Sequence, residues 1–148
     1  MSPESIRRRQ HQGGFTLIEI MVVVVIIGLL AAIVAPNIIG RIDQAAVARA
    51  RQDLRAIESS LNLYRLDNFK YPSTDEGLQA LVSKPGDASA PNWKSGGYLA
   101  RLPKDPWDNP YLYIYPGQRG EIDIFSYGAD GQEGGEDINA DIGNWDLD

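Results

Sequence analysis

The chain has 148 residues, of which 43% are hydrophobic and 23% charged, with a formal net charge of −6 and no cysteine. This length suits one modest domain, and the composition excludes a disordered or collagen-like protein. Without cysteine there is no disulfide framework, thiolate zinc site or cysteine nucleophile. The single histidine, His11, lies in a polar N-terminal segment beside three arginines, which excludes a histidine-based triad or general base elsewhere in the chain.

Charge is distributed unevenly along the chain. Of the 14 basic and 20 acidic side chains, three arginines and one glutamate lie in residues 1–14, which leaves 11 basic and 19 acidic side chains in the remainder. A nucleic-acid partner requires a basic face that neutralises phosphates. The composition therefore predicts no nucleic-acid binding.

An apolar run of 21 residues begins at Phe15 and ends at Ala35, before Pro36. As a helix it would be ~31 Å long, close to the ~30 Å thickness of the hydrocarbon core of a bilayer. We therefore predict a membrane-spanning helix over residues 15–36. The arginines before it and the near-neutral stretch after it place the N-terminus in the cytoplasm and the rest of the chain outside. The alternative is a buried core helix, which the small apolar mass of the remaining chain disfavours.

The segment before the apolar run differs from an ordinary secretory signal. No A-x-A-like cleavage site follows the run; instead Gly13 and Gly14 stand immediately before Phe15, and Glu19 lies inside the run. A carboxylate at that depth is costly in a bilayer and therefore indicates a function. The alternative is a glutamate whose side chain reaches the headgroups from four residues inside.

The hexapeptide from Gly14 to Glu19, Gly-Phe-Thr-Leu-Ile-Glu, resembles the processing site of type IV pilins and pseudopilins. This resemblance implies that residues 1–14 form a leader, that a prepilin peptidase cleaves between Gly14 and Phe15, and that the new amine of Phe15 is methylated. In a filament, the amine of Phe15 and the carboxylate of Glu19 would give each subunit one charge of each sign, which neighbouring subunits can pair.

Helical periodicity resumes after Pro36, a residue without an amide hydrogen that predicts a bend or local melting of the helix. Over residues 37–68, apolar residues recur every three or four positions on one face, while charged residues fill the others. The apolar stripe comprises Ile39, Ile42, Ala46, Ala50, Leu54, Ile57, Leu61 and Tyr64. A helix from Phe15 to about Asp67 would be ~80 Å long, as suits a membrane anchor that continues into a stalk.

Residues 69–148 are expected to form a globular domain. The long helix ends near Phe69, because Tyr71 precedes a proline and is pushed out of the α region. The pair Ser73 and Glu76 has the spacing of a capping box and predicts a short helix that reaches Val82.

The second half of this domain contains two predicted strands. Residues 111–115 and 121–126 alternate with a period of two, and residues 116–120 join them into a hairpin. Residues 84–110 are rich in proline and glycine and form an irregular connection. The side chains expected to hold it against the core are Trp93, Tyr98, Leu99, Leu102 and Trp107.

The segment from Tyr127 to Asp148 has seven carboxylates, five glycines and no basic residue. Such a composition is typical of a disordered or acidic interaction tail. Carboxylate and carbonyl oxygens combined with glycine turns are also the environment that Ca²⁺ accepts, although the spacing does not fit an EF-hand. The composition leaves a calcium site and a plain acidic loop equally open.

Three segments resemble the major pseudopilin family of bacterial type II secretion systems: residues 71–81, 102–111 and 125–135, with the match extending through 141–145. The resemblance implies an α+β fold of the type IV pilin-like kind. In that fold a long N-terminal helix, which serves as membrane anchor and amphipathic stalk, would pack on a small antiparallel sheet, and one calcium ion would stabilise the C-terminal loop. One departure is Asp108, where the family usually has glycine; aspartate tolerates the left-handed conformation better than most residues.

The family positions of the calcium ligands also follow from this resemblance. They are the side chains of Asp130 and Asp137, the backbone carbonyl of Tyr127 and an oxygen of Ile138 or Asn139, with Asp141 as the chief competitor.

The function implied is structural and not enzymatic. Subunits would leave the inner membrane and form a homopolymer, a helical periplasmic filament that helps drive folded proteins across the outer membrane. The implied partners are the prepilin peptidase, minor pseudopilins, an inner-membrane assembly platform with its cytoplasmic ATPase, and the outer-membrane secretin. The chain has no phosphate-binding loop of its own.

Two alternatives remain at this stage. Within the superfamily, the chain could be a type IV pilus or competence pilin, which the lack of cysteine and the C-terminal segments disfavour. From another class, it could be a membrane-anchored periplasmic enzyme with carboxylate chemistry or a calcium-dependent binding module. A domain of ~80 residues offers little room for a substrate cleft beside its own core.

Overall fold

The computed structural model describes residues 13–86 and 88–147, with the backbone alone for residues 36–39. Most of the predicted leader, residues 1–12, lies outside the described residues. The chain divides into two compact units, one up to Gly40 and one from Arg41 onward. One long α-helix, α1 (Leu17–Asn68), contributes residues to both.

The predicted bounds of the long helix are confirmed to within two residues at each end. The backbone remains helical through Pro36, so the local melting predicted there is absent. Proline removes one backbone hydrogen bond, and the bonds of the adjacent turns are sufficient to keep the segment helical.

In the first unit, the apolar side chains of residues 15–35 are exposed along the whole run. The helix is long and apolar enough to cross a membrane, and none of its most apolar window is buried inside the protein. The alternative of a buried core helix is therefore wrong, since a core helix would be covered by the rest of the chain.

In the second unit, the apolar stripe of α1 forms one wall of the core. Its fully buried members are Ala50, Leu54, Ile57, Leu61 and Tyr64. Ile42 is 62% exposed, contrary to the prediction, because the contacts of the core along α1 begin only at Val47. The side chain of Ile39 lies outside the described residues.

The opposite wall is a three-stranded antiparallel sheet in the order β1 (Leu112–Ile114), β2 (Asp123–Ser126) and β3 (Ile142–Gly143). The predicted hairpin is confirmed, with Tyr113 opposite Ile124. β3 was not predicted, since two residues carry no detectable period. The combination of a long N-terminal helix and a small antiparallel sheet confirms the predicted fold class.

The connection after α1 departs from the prediction at the capping box. Both hydrogen bonds form: the Ser73 amide donates to the Glu76 carboxylate at 2.8 Å, and the Glu76 amide donates to the Ser73 hydroxyl at 3.2 Å. They close a turn, however, and Gly77, with φ 60°, interrupts the chain after it. The predicted short helix follows as a single 3₁₀ turn, Leu78–Leu81, which ends one residue before Val82.

The irregular connection is held against the core by the side chains that the sequence indicated, Trp93, Tyr98, Leu99, Leu102 and Trp107. The polar atoms of Trp93 and Tyr98 also form hydrogen bonds. The Trp93 indole donates to the Ala80 carbonyl at 2.7 Å, and the Tyr98 hydroxyl donates to Asp67 at 2.9 Å. These bonds tie the connection to the end of α1 and to the 3₁₀ helix.

Candidate functional site

The residues around the predicted cleavage point are exposed and irregular. Gly13 and Gly14 adopt no helix or strand, and no atom lies within 4 Å of a Cβ built at either position. Phe15 is 86% exposed. The peptide bond between Gly14 and Phe15 is therefore free of obstruction by the described part of the chain.

Glu19 takes part in a capping box at the start of α1. Its carboxylate oxygen Oε2 accepts a hydrogen bond from the Thr16 amide at 2.8 Å, and the Thr16 hydroxyl accepts one from the Glu19 amide at 3.3 Å. These bonds satisfy amides that the first helical turn leaves without intrahelical partners. The carboxylate also lies at the N-terminal end of the helix, where an acidic side chain interacts favourably with the helix dipole.

Thr16 was missed as a functional residue, although the Thr-x-x-Glu spacing could have revealed it. Within the described chain, the second carboxylate oxygen of Glu19, Oε1, accepts no hydrogen bond. Apolar side chains of Ile18, Val22 and Val23 border the carboxylate in a shallow groove. Glu19 thus caps its own helix through Oε2, and Oε1 has no hydrogen-bond donor among the described residues.

In the C-terminal loop, two backbone segments lie against each other at Gly128. This residue has φ 71°, and a Cβ built there would lie 2.7 Å from the Ile138 carbonyl oxygen. The next amide, that of Ala129, donates to the same Ile138 carbonyl at 2.8 Å. The contact draws the segment after β2 against the 3₁₀ turn Asp137–Asn139.

The four predicted calcium ligands are divided between the two segments that this contact joins. Tyr127 and Asp130 belong to the first, and Asp137 and Asn139 to the second. Asp137 has φ 54°, an uncommon conformation for a residue other than glycine.

The carboxylates of the loop differ in what they already bind. Both oxygens of Asp141, the competing ligand, accept from the Gly134 amide at 3.0 and 3.1 Å. Asp130 uses Oδ1 for the Gln132 amide at 3.1 Å, which leaves Oδ2 for another partner. The geometry therefore favours Asp130 over Asp141 as a candidate ligand.

The kinds of oxygen atom in the C-terminal loop determine which metal ion the loop could bind. Among the described residues, no three His, Cys, Asp or Glu side chains come together as a metal site. A shell of two carboxylates with backbone and amide oxygens remains compatible with this arrangement, and Ca²⁺ accepts that mixture. The donor types of the four candidate residues, carboxylate, carbonyl and amide oxygens, are thus those that Ca²⁺ accepts.

A buried hydrogen-bond network next to the loop was not predicted. Asp105 is 3% exposed; its Oδ1 accepts from the amides of Trp107 and Asn109 at 3.0 and 2.8 Å. The Ser126 hydroxyl donates to Asp105 Oδ2 at 2.6 Å and accepts from the Gly128 amide at 3.1 Å. The network fastens the proline-rich turn to the beginning of the C-terminal loop. In the same turn Asp108 has φ 71°, which agrees with its replacing a glycine.

The core tyrosines are electrostatically distinct from exposed phenols. Burial raises the pKa of Tyr64 to about 12. Burial, and then the nearby charge of Asp53, which accepts the Tyr111 hydroxyl at 3.1 Å, raises the pKa of Tyr111. Burial also raises the pKa of Tyr113, whose hydroxyl donates to the Pro72 carbonyl at 2.8 Å. All three side chains are neutral at physiological pH.

Comparison with known proteins gives matches over nearly the whole chain. The family described as "Type II secretion system (T2SS), protein G" matches residues 37–145, and the "Prokaryotic N-terminal methylation motif" matches residues 9–35. Type II secretion system core protein G of Pseudomonas aeruginosa is 59% identical over 140 residues, covering 94% of this chain and 99% of the relative. The same protein of Vibrio cholerae is 53% identical over 141 residues, covering 95% and 97%.

A similar structure has also been solved. It is the crystal structure of the major pseudopilin from the type 2 secretion system of enterohaemorrhagic Escherichia coli, which is 50% identical to this chain. The TM-score is 0.65, and the match covers 74% of this chain and 95% of the crystallised one.

Proposed function

The chain belongs to the family of type II secretion system protein G, and on that premise we propose how its residues serve the pseudopilus. It is a structural subunit of this filament and not an enzyme. The observation that carries this conclusion is the family match over residues 37–145 together with 59% identity to a core protein G. The alternative of a type IV pilus or competence pilin is not favoured.

The apolar N-terminal helix indicates anchoring in the inner membrane, and we propose the orientation of the chain in it. The helix crosses the membrane once, with the N-terminus in the cytoplasm and the unit from Arg41 onward in the periplasm. The cluster of Arg7, Arg8 and Arg9 before the apolar run supports this orientation, since positive charge is retained on the cytoplasmic side.

We further propose that a prepilin peptidase removes residues 1–14 and that the new amine of Phe15 is methylated. The match of residues 9–35 to the methylation motif supports this processing, as does the exposure of Gly14 and Phe15. The apolar helix is retained after cleavage and remains available for assembly.

In the filament, the proposed partner of Glu19 is the amine of Phe15 on a neighbouring copy. The free Oε1 atom supports this pairing, because the capping bond to Thr16 occupies only Oε2. A charge pair inside an apolar bundle is stable only when both charges are matched. A misplaced subunit would leave both unmatched, so the pair would fix the register of assembly.

Other components of the secretion machinery complete the proposed set of partners. They are the minor pseudopilins, the inner-membrane assembly platform and the outer-membrane secretin. Membership of the chain in the family supports these partners, because a pilus-like filament of a secretion system assembles with other components of that system.

We also propose that the C-terminal loop holds one calcium ion. Asp130 and Asp137 would supply charge, and the Tyr127 carbonyl and an oxygen of Asn139 would complete the protein's share of the shell. When bound, the cation would neutralise carboxylates that otherwise repel one another across the contact at Gly128. Two observations support this set of ligands. The donor atoms are of types that Ca²⁺ accepts, and the competing residue Asp141 already accepts hydrogen bonds from the Gly134 amide.

The function is tested by deleting the gene and restoring it on a plasmid. We expect deletion to abolish release of secreted proteins while twitching and DNA uptake are unchanged, and the wild-type copy to restore release. Loss of twitching or DNA uptake in the deletion strain, with release of secreted proteins retained, would contradict the assignment to the secretion pseudopilus.

A further inference from the structure

Three large apolar side chains lie exposed at the C-terminal end of α1. Leu63, Leu66 and Phe69 are 51%, 71% and 84% exposed, and we refer to them as the apolar patch. Leu63 and Leu66 are three residues apart on the last two turns of α1, and Phe69 directly follows the last helical residue, Asn68. Leu66 and Phe69 also line a shallow groove with Asn62 and Arg65.

Phe69 is unfavourable for the isolated subunit in two respects. It has φ 62°, and its amide donates to the Arg65 carbonyl at 2.7 Å, as in a left-handed helix cap. Glycine or asparagine occupies such a position with little strain, whereas phenylalanine does not. Its ring also packs on almost nothing in its own chain. Folding of the subunit alone therefore gives no reason for a phenylalanine here.

The guanidinium that lines the groove beside the apolar patch, that of Arg65, is not free for a charged partner. The Arg65 guanidinium donates to Glu121 at 2.7 Å and to the Tyr71 hydroxyl at 3.2 Å, and it lies over the Tyr71 ring. Arg65 is thus already engaged within the subunit. What the apolar patch itself offers a partner is apolar contact.

The size of the apolar patch restricts its occupant. Side chains of this kind exposed to this degree present together on the order of 400 Å², whereas each partner of a stable complex buries ~800 Å². The patch alone would not hold a freely diffusing protein. A neighbouring subunit of the filament is already held close, so even a small contact forms at a high effective concentration.

On this basis, and resting on the pseudopilus function, we propose that the apolar patch contacts a second copy of this chain in the filament. Phe69 of one subunit packs on the periplasmic unit of its neighbour, and assembly covers the ring that the free subunit exposes.

Substitution of Phe69 separates this role from folding. Phe69→Asn removes the ring and suits the left-handed conformation, so we expect the melting temperature of the detergent-solubilised chain to stay equal or rise. We expect filament yield to fall roughly fivefold or more, as for the loss of one aromatic contact. The matched control, Phe69→Tyr, retains the ring and should assemble like the wild type.

A photo-crosslinking phenylalanine analogue at position 69 identifies the occupant directly. Irradiation of assembled filaments should give a product of twice the subunit mass whose second peptide comes from this same chain. Adducts only to another protein, or wild-type filament yield with Phe69→Asn, would overturn the proposal. If the wild-type chain itself formed no filaments, the pseudopilus function would fail, and this surface with it.

Discussion

Glu19 carries a charge inside an apolar helix and also caps that helix through Thr16. The capping bond requires only an acceptor, whereas pairing with the amine of a neighbouring subunit requires a negative charge. Glutamine keeps the acceptor and removes the charge, so it distinguishes the two roles. Alanine removes both.

We expect Glu19→Gln and Glu19→Ala to lower filament yield to a similar, large extent. The melting temperature of the periplasmic unit should be unchanged in both, because Glu19 belongs to the unit that ends at Gly40. Filament yield and thermal melting of the full chain are the measurements. Normal assembly by Glu19→Gln would show that capping, and not charge pairing, is the role of this residue.

The buried tyrosines predict how stability depends on pH. Unfolded tyrosines ionise near pH 10, whereas burial holds the pKa of Tyr64 at about 12 and raises those of Tyr111 and Tyr113. Below pH 10 both states keep their protons, so these groups add no pH dependence there. Above pH 10 the unfolded state loses protons that the folded state retains.

Stability should therefore fall between pH 10 and 12, by ~1.4 kcal/mol per pH unit for each buried tyrosine. Melting of the full chain at pH 9, 10 and 11 measures this, with Tyr64→Phe as the comparison that removes one ionisable group. The variant should show a shallower decline. An equal decline in both chains would mean that Tyr64 ionises normally in the folded state.

Among the elements, the C-terminal loop combines an exposed stretch, residues 130–137, with seven carboxylates and no basic residue. A cation present at 100 times its dissociation constant adds ~2.7 kcal/mol to the folded state. We expect chelation to lower the melting temperature and to make residues 127–145 sensitive to protease. Calcium should reverse both effects, and an equal concentration of magnesium should not.

Asp130→Ala or Asp137→Ala should abolish the rescue by calcium. Glu133→Ala is the matched control, since it removes an exposed carboxylate of the same loop that is outside the proposed shell. The calcium site would be refuted by identical melting curves in chelator and in calcium.

The contact at Gly128 is a second determinant of the loop. We expect Gly128→Ala to destabilise the chain by about 1–3 kcal/mol, because the residue has a positive φ and its Cβ would meet the backbone of residues 138–140. Gly134→Ala has the strain of φ 92° without a neighbour within 4 Å. Thermal melting should show a larger loss for Gly128→Ala, and equal losses would mean that the close approach is unimportant.

Elements with a long repeating pattern could be predicted from the sequence, and those defined by one or two residues could not. The apolar period of α1 extends over many turns, so the bounds of the helix could be predicted. The period does not show where along the helix the core ends, and the prediction that Ile42 packs on the domain was therefore wrong. The hairpin shows a clear period of two, whereas β3 is too short to show one. The bonds between Ser73 and Glu76 formed as predicted, but Gly77 limited them to a turn.

Over the whole molecule, the sequence signal of a site depends on whether its residues are adjacent in the chain. Gly14, Phe15 and Glu19 stand in one hexapeptide, within the segment that matches the methylation motif, so their proposed roles could be predicted from the sequence. The network around Asp105 depends on a turn and a strand that meet only in the folded chain, and residue spacing carries no signal for that meeting. The calcium ligands were predicted only by resemblance to a family. Every residue has a backbone oxygen, so the sequence does not show which of these oxygens would bind a metal.

The two units have complementary properties that suit a filament subunit. The helix up to Gly40 has an apolar surface that its own chain does not cover, and the unit from Arg41 onward has a core of its own. Polymerisation would bury the apolar surface of the helix and would not require the unit from Arg41 onward to refold. We therefore propose that the processed chain is the main subunit of the filament.

The most direct test isolates filaments from cells that produce this chain with its secretion machinery and measures the intact mass of the subunit. We expect filaments composed mainly of this chain, with residues 1–14 lost and one methyl group added at Phe15. Filaments built from another protein, or a chain that remains uncleaved or starts after residue 35, would contradict the account.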